Sequence, residues 1–314
     1  MPNPREIHRH MRSVRNIQQI TKAMKMVAAA RLRRAQEKAA STRPFADTIE
    51  TLLMTAISDK TAMNSLSFSD FPMLADRPVR RTAFIVVAAD KGLAGPYNSN
   101  VLKHALAELT EADNYYLITV GRKAKEFFQH RGFDVAKDYF GLSDKPNFDY
   151  AEQIAKAAAD AFASGEADEV KLIATRFKSA LSYTPETLNL MPVRPGGADE
   201  ERGKARDGFP QSDYDDDEDG EEMMEEVGNV LFEPSAAALL GQLLPYFVKT
   251  RIYAALMQSA ASELGARMTA MSSATDNASD LLRSLELSYN KARQAGITRE
   301  INEIVGGAEA LQEN

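Results

Sequence analysis

The sequence of 314 residues contains neither cysteine nor tryptophan. Without cysteine, the chain cannot form disulfides, bind a metal through thiolates or use a thiol nucleophile. The absence of disulfides is typical of proteins in a reducing compartment. Long hydrophobic runs are also missing, since the longest unbroken apolar stretch extends only from Ala83 to Ala89. A membrane-spanning helix needs about 20 such residues. We therefore expect no transmembrane helix.

Charge is distributed unevenly along the chain. The formal net charge is −7, yet Gly196 to Glu226 hold 14 acidic and 3 basic residues, while Met1 to Arg43 hold 11 basic and 2 acidic ones. The run from Asp215 to Asp219 repels itself, so we predict an acidic mobile insert over 196–228. The basic arm is either a partner-binding helix or a solvated helical face. Nucleic acid, an anionic membrane and an acidic protein surface would each attract it.

Residues 1–58 are predicted to form one long coiled-coil helix. Apolar residues recur at steps of mostly three and four, which places one stripe on one helix face. They are Ile7, Met11, Val14, Ile17, Ile20, Met24, Val27, Leu32 and Ala35. Pro44 is expected to kink or interrupt this helix. Residues 59–76 then form a connection.

Residues 77–195 are predicted to form an α/β domain. Three short apolar runs rich in β-branched residues indicate buried strands at 82–89, 115–120 and 170–175. Helical stretches at 100–109, 122–130 and 150–163 alternate with them, and 186–193 is a possible edge strand. Alternation of strand and helix favours a mostly parallel, Rossmann-like sheet.

Residues 229–314 are predicted to form a second coiled-coil helix, kinked near Pro245. Two heptad registers support it: 257, 264, 271, 278, 285 and 292, and 261, 268, 275, 282 and 289. A seven-residue repeat of this length favours a left-handed coiled coil about 100 Å long. Since a whole domain connects the two long helices, they can pair antiparallel with the α/β domain inserted between them.

Candidate chemistry is sparse. The segment Asp90–Asn98 follows the first strand, where phosphate-binding loops occur, but it matches neither GxGxxG nor GxxxxGK[ST]. We interpret it as a tight turn with an asparagine cap. The four histidines, His8, His10, His104 and His130, lack partners at metal-ligand spacing, and no nucleophile has an adjacent base. We expect no catalytic, metal or cofactor site in this chain.

Both ends of the chain closely resemble the γ subunit of the F-type ATP synthase. The stretch Ile17–Ala29 (IQQITKAMKMVAA) is similar to that family's opening signature. The stretch Ala261–Leu311, which includes ARMTAM, ATDNA, YNKARQA and ITREINEIVGGA, is similar to its ending. DKGLAG resembles the family's first βα turn. Gly265, which interrupts the helical pattern, and Gly95-Pro96 are local departures, and thiol control of the kind found in chloroplast relatives is excluded because there is no cysteine.

The resemblance implies the role of a central-stalk rotor shaft in a proton-translocating F-type ATP synthase. In the family, the paired helices turn inside a hexamer of α and β subunits, and the α/β domain sits with the ε subunit on the c-ring. Rotation of the c-ring thereby couples proton flow to ATP synthesis and hydrolysis. The chain would be a non-catalytic subunit that reaches the membrane only through the c-ring. It would be peripheral on the cytoplasmic face of a bacterial plasma (inner) membrane.

The resemblance also implies contact residues for torque transmission. Lys22, Met24 and Lys25 would face the lower lever of β, and Arg293, Gln294, Thr298 and Glu300 would contact the hexamer higher on the shaft. Two other functions stay open from the residues alone. One is a basic coiled-coil protein that binds nucleic acid, and the other is a nucleotide-dependent enzyme that uses the Asp90–Asn98 turn.

Overall fold

The computed structural model of the chain describes residues 4–58, 71–112, 114–141, 146–194 and 236–312. One long helix stands at each end of the described chain, and three shorter α-helices, a 3₁₀ helix (Pro72–Leu74) and five strands lie between them. The elements are α1 (Pro4–Ser58), β1 (Thr82–Val87), α2 (Tyr97–Glu111), β2 (Tyr115–Val120), α3 (Arg122–Gln129), β3 (Lys137–Tyr139), α4 (Phe148–Ala163), β4 (Glu169–Phe177), β5 (Tyr183–Met191) and α5 (Ala236–Gln312). The predicted insert at 196–228 and most of the predicted connection, 59–70, lie outside the described residues.

The chain divides into two compact units, and both long helices contribute to each. One unit, the paired-helix unit, comprises Met1–Val27 and Met268–Asn314. The other, the α/β unit, comprises Ala28–Arg267.

Within the paired-helix unit, α1 and α5 run antiparallel. Thr275 Oγ1 donates to Thr21 Oγ1 at 2.8 Å, and Gln18 Nε2 donates to Ser279 Oγ at 2.7 Å. Residue numbers therefore fall along α1 as they rise along α5, which is the arrangement expected from the sequence. Polar bonds of this kind fix the register of a seam that buries little apolar area.

The heptad positions of α5 line the seam. Val14 of α1 packs against Ala278 and Leu282, with Met11 and Leu285 beside them. Both predicted registers are therefore present in this core, since Ala278 and Leu285 belong to one and Leu282 to the other. The sustained repeat was sufficient to identify the buried face of α5.

The apolar stripe of α1 is only partly buried. Ile7 and Val14 are buried, and Thr21 and Ala28 continue the buried line at seven-residue steps. Ile17, Ile20 and Val27 are instead 51%, 59% and 52% exposed. Steps of three and four include residues on either side of a narrow two-helix seam, so the stripe predicted from the sequence is wider than the buried surface.

A five-stranded sheet forms the centre of the α/β unit. Its strand order is β3-β2-β1-β4-β5, with β5 antiparallel to β4 and every other pair parallel. The mostly parallel sheet is as expected. The sequence prediction missed β3, which has only three residues with the sequence KDY, and it placed the edge strand a few residues late.

Both faces of the sheet are covered by helices. Ile85 of β1 belongs to a core shared with Leu53 of α1, Ile154 of α4 and Ile252 of α5. Alternate residues of β1 point the other way, where Phe84 packs with residues of α2 and α3. Burial on both faces explains why β1 is apolar without alternation.

Three expected helix breakers lie inside continuous helices. Pro44 lies within α1 and Pro245 within α5, and neither ends its helix. Gly265 also lies within α5, so its expected interruption of the helix was wrong. A Cβ atom at Gly265 would stand 3.2 Å from the Cα and O atoms of Ala180. Glycine is used there because the hairpin between β4 and β5 approaches the helix closely.

Candidate functional site

The three torque residues expected on α1 lie on or near the surface of the paired-helix unit. Lys22 and Lys25 are exposed, and Met24 is half-buried. Lys25 Nζ donates to Ser272 Oγ of α5 at 2.9 Å. The three side chains therefore border the seam without filling it, and they leave cationic groups accessible to another molecule.

The four torque residues expected on α5 are all exposed and span two turns. Thr298 Oγ1 donates to the carbonyl oxygen of Gln294 at 3.0 Å, and Arg293 and Glu300 occupy the ends of this segment. The helix pairing places Thr21 beside Thr275, so Arg293 lies about 27 Å farther along α5 at 1.5 Å per residue. The structure thus separates the two sets of expected contact residues along one rod.

Several large apolar side chains of the paired-helix unit are exposed. On α1 the exposed set is Ile17, Ile20, Met26 and Val27. On α5 it is Leu281, Leu287, Ile297, Ile301, Ile304 and Val305. Exposed apolar side chains that gather into a large patch mark contact with another protein.

The last turns of α5 extend past α1. Following the register, Arg293 stands beside Pro4, the first residue of α1. Ile297, Ile301 and Ile304 lie beyond that point and are 49%, 54% and 71% exposed. The described structure therefore ends in a single helix with apolar side chains.

The Asp90–Asn98 turn is held by its own polar side chains. Asp90 accepts hydrogen bonds from the backbone N–H groups of Arg122 at 3.1 Å and Gly141 at 3.0 Å. Asn98 Oδ1 accepts from Ala89 N–H at 3.0 Å. The cap of α2 is Pro96, so the expected asparagine cap was wrong. Asn98 fastens the turn back to the strand end.

The same turn is packed on α5. Arg267 Nη2 donates to the Gly92 carbonyl oxygen at 3.2 Å. The next residue, Leu93, has a φ of +62° and is 65% exposed. A non-glycine residue in the left-handed region costs of order 1 kcal/mol. The surrounding hydrogen bonds hold this conformation.

An ion pair buried on α5 escaped the sequence analysis. Glu263 and Arg267 form it one helical turn apart, and their side chains are 2% and 10% exposed. Burial, reinforced by the charge of Glu263, raises the pKa of the neighbouring Tyr97 phenol well above its usual range. The phenol is therefore neutral near pH 7. Two opposite charges four residues apart on a helix usually lie on a solvent-exposed face. The heptad periodicity therefore could not show that this pair is buried.

Two of the four histidines have structural partners. The His8 ring lies 6.0 Å from the Tyr289 ring, and His104 Nε2 is 2.9 Å from Thr187 Oγ1. Among the described residues, no cluster of three or more histidine, aspartate or glutamate side chains is arranged to hold a metal ion. Within the same residues, no helix has the length and hydropathy needed to cross a bilayer.

One recess of about 260 Å³ lies in the α/β unit. The segment 71–73, α4 and α5 line it, and Asp160 is the ionisable residue of that lining. A lone carboxylate among apolar groups has no second acid–base group beside it.

The chain is similar to proteins of one family over nearly its full length. A family model described as ATP synthase matches residues 3–311. The ATP synthase gamma chain of Heliobacterium modesticaldum is 43% identical over 312 residues, which cover 99% of this chain and all of that relative. The ATP synthase gamma chain of a Picosynechococcus species is 42% identical over 318 residues, with the same coverage.

Two solved structures share the fold. One is the central stalk and c-ring of the Tetrahymena thermophila mitochondrial ATP synthase, where the matched chain has a TM-score of 0.57, 24% identity, and coverage of 81% of this chain and 99% of that one. The other is the OSCP/F1/c-ring assembly of the Euglena gracilis mitochondrial ATP synthase in rotational state 3. Its matched chain has a TM-score of 0.64, 17% identity, and coverage of 98% and 94%.

Proposed function

The chain belongs to the ATP synthase gamma chain family, and on that premise we propose that it is the central-stalk rotor shaft of a proton-translocating F-type ATP synthase. It transmits rotation between the membrane ring and the nucleotide-binding subunits, and so couples proton flow to ATP synthesis and hydrolysis. It carries out no bond-making step itself. The chemistry belongs to the partners.

The exposed apolar surface of the paired-helix unit carries this proposal. A two-helix seam with Thr21 and Ala278 among its buried residues is too thin to cover Ile17, Ile20 and Leu287. Each large apolar side chain left partly in water forgoes at most about 1.5–3 kcal/mol of burial. A surrounding sleeve of subunits recovers that free energy, whereas an isolated rod does not.

The charges of the paired-helix unit indicate which kind of surface the surrounding subunits present to it. The arginines and lysines of α1 within this unit are exposed: Arg5, Arg9, Arg12, Arg15, Lys22 and Lys25. Arg15 pairs with Glu286 at 3.7 Å in a solvent-exposed contact. Exposed pairs contribute only about 0–1 kcal/mol, so these cations can exchange partners as the shaft turns past acidic groups.

The partners follow from the family role. The α and β subunits form the sleeve, and the ε subunit and c-ring hold the α/β unit. Lys22, Met24 and Lys25 contact the lower part of β, while Arg293, Gln294, Thr298 and Glu300 contact the hexamer higher up. The chain associates with the cytoplasmic face of a bacterial plasma membrane through the c-ring alone.

Co-purification tests the proposed assembly. The complex is isolated from its native membrane through this chain, and its subunits are identified by mass spectrometry. We expect α, β, ε and c subunits in fixed ratio. Recovery of the chain with nucleic acid, or without α and β, would contradict the proposal.

A paired set of variants tests the apolar surface itself. Ile297→Asp with Ile301→Asp places two charges on exposed apolar positions, and Ser288→Asp with Asn302→Asp places two on exposed polar positions of the same helix. Losing two isoleucines that become buried in the complex weakens association by more than about tenfold. We expect the isoleucine variant to lose complex and the control to retain it. Equal yields of complex from the two variants would show that the exposed isoleucines do not form the contact with the surrounding subunits.

A further inference from the structure

Helix α5 is hydrogen-bonded to the end of strand β4. The parallel pairing of β1 with β4 ends at Val86 and Ile173, although β4 continues to Phe177. Beyond Ile173, the backbone of β4 therefore needs other partners on that side. Buried peptide groups without partners are costly, so their replacements are structurally informative.

Side chains of α5 supply those partners. Thr175 N–H donates to Ser259 Oγ at 3.1 Å, and Phe177 N–H donates to Gln258 Oε1 at 2.8 Å. Ser262 Oγ lies 3.5 Å from the Thr175 carbonyl oxygen. One face of α5 thus takes the place of a neighbouring strand along the end of β4.

A second attachment lies one to two turns farther along α5. Arg267 donates to the Gly92 carbonyl oxygen at 3.2 Å and pairs with Glu263 at 2.6 Å. The helix is thereby fastened to two separate parts of the α/β unit, the end of β4 and the turn after β1. Both sets of bonds are short-range and directional.

The remaining contacts of this helical segment are apolar. Leu256, Met257, Ala260, Ala261, Leu264 and Ala266 are buried, and Gly265 packs on the backbone of Ala180. Apolar contact is non-directional. The polar bonds therefore supply the directional contacts that resist twist of α5 about its own axis.

We propose that Gln258, Ser259, Ser262, Glu263 and Arg267 form a torsional lock through which the α/β unit passes torque to helix α5. The lock rests on the proposed rotor function and specifies where, within the α/β unit, rotation enters the shaft. These are positioning residues that act through the backbone of β4 and the Asp90–Asn98 turn. They contact no reacting group.

The test measures the torsional stiffness of the assembled enzyme. A bead is attached through Ala107→Cys, an exposed site on α2 in a chain without other cysteines, in a complex otherwise cleared of reactive cysteines. The hexamer is arrested with a nucleotide that it cannot hydrolyse, and the angular variance of the bead is recorded. The test variant is Gln258→Leu with Ser259→Ala and Ser262→Ala. The matched control is Gln129→Leu with Ser99→Ala and Ser182→Ala, at exposed positions.

We expect the angular variance of the test variant to be at least twice that of the control. Equal variance would overturn the lock. Should the triple variant fail to assemble, Ser259→Ala alone is compared with Ser99→Ala, and equal variance again overturns the proposal. A bead that never rotates with ATP in the unaltered enzyme would instead refute the rotor function, so the two failures are distinguishable.

Discussion

Glu263 Oε1 and Arg267 Nη2 lie 2.6 Å apart on successive turns of α5, with both side chains removed from water. A buried charge without its partner costs several kcal/mol, whereas an exposed pair contributes about 0–1 kcal/mol. The value of this pair therefore lies in its burial and in the carbonyl contact to Gly92.

Replacing Arg267 with Met should lower the free energy of unfolding by about 3–5 kcal/mol, because the buried Glu263 carboxylate loses the cation that offsets its charge. Denaturant unfolding of the purified chain measures the change. Arg283→Met is the control, since Arg283 faces Asp280 at 3.9 Å with both side chains more than 75% exposed. The control should change stability by less than about 1 kcal/mol. Similar losses for the two variants would show that the inner pair is not shielded from solvent.

Two glycines of α5 should respond oppositely to alanine. A methyl group at Gly265 would meet the Ala180 backbone at 3.2 Å, whereas nothing lies within 4 Å of a Cβ at Gly296. Gly296→Ala should raise the free energy of unfolding of the purified chain by up to about 1 kcal/mol through helix propensity. Gly265→Ala should lower it, by about 1–3 kcal/mol typical of overpacking. Thermal unfolding distinguishes the signs, and stabilisation by both substitutions would mean that the hairpin is not seated on α5.

Asp168 should make stability depend on pH in the acid range. Its carboxylate accepts from the backbone N–H groups of Arg80 at 3.0 Å and Arg81 at 3.1 Å and pairs with Arg77 at 3.2 Å. The Arg80 hydrogen bond, followed by the Arg81 bond and the nearby arginine charges, lowers the pKa of Asp168 below its ordinary value of 3.8. A group whose pKa is lowered by folding stabilises the folded state fully at pH values above its unfolded-state pKa. This stabilisation is lost as the pH falls through its folded-state pKa.

Asp168→Asn should therefore destabilise the chain by about 1–3 kcal/mol near pH 7, as expected for hydrogen bonds to a charged group. The difference between the variant and the unaltered chain should shrink below pH 3.8. Urea unfolding at pH 7 and at pH 3 provides the comparison. A difference that is constant with pH would mean that the carboxylate charge is not involved.

Met24→Lys should impair coupling more than folding. Met24 is half-buried between exposed Lys22 and Lys25, so a longer cationic side chain can reach solvent without disrupting the seam. Once enclosed by a partner, the new charge forms contacts that can be worth several kcal/mol and resist rotation. Proton pumping per ATP hydrolysed by the assembled enzyme should fall. Met24→Leu preserves volume and should leave the ratio unchanged; an unchanged ratio in both variants would remove Met24 from the moving interface.

Periodicity predicted the large elements because their burial repeats regularly. The heptads of α5 place Ala278 and Leu282 in the seam, and the unbroken apolar run of β1 reflects burial on both sheet faces. Periodicity failed to predict the features that depend on only a few residues. Strand β3 is short and polar, and Gly265 is explained by a hairpin that lies far away in sequence.

The candidate site was less accessible from sequence. Ile17 and Ile20 belong to the apolar pattern yet face outward, because steps of three and four also include residues on either side of the narrow two-helix seam. The ion pair of Glu263 and Arg267 could not be recognised from spacing that is usual on solvated helices. The roles of Lys22 and Arg293 came from family motifs and stay predictions.

Rotation of this chain inside the assembled enzyme tests the central claim most directly. With the catalytic subunits fixed to a surface and a bead on Ala107→Cys of α2, microscopy records the bead angle while ATP is hydrolysed. The account predicts continuous rotation in one direction that stops when ATP is removed. ATP hydrolysis at the normal rate with a stationary bead, in a complex shown to contain this chain, would contradict it.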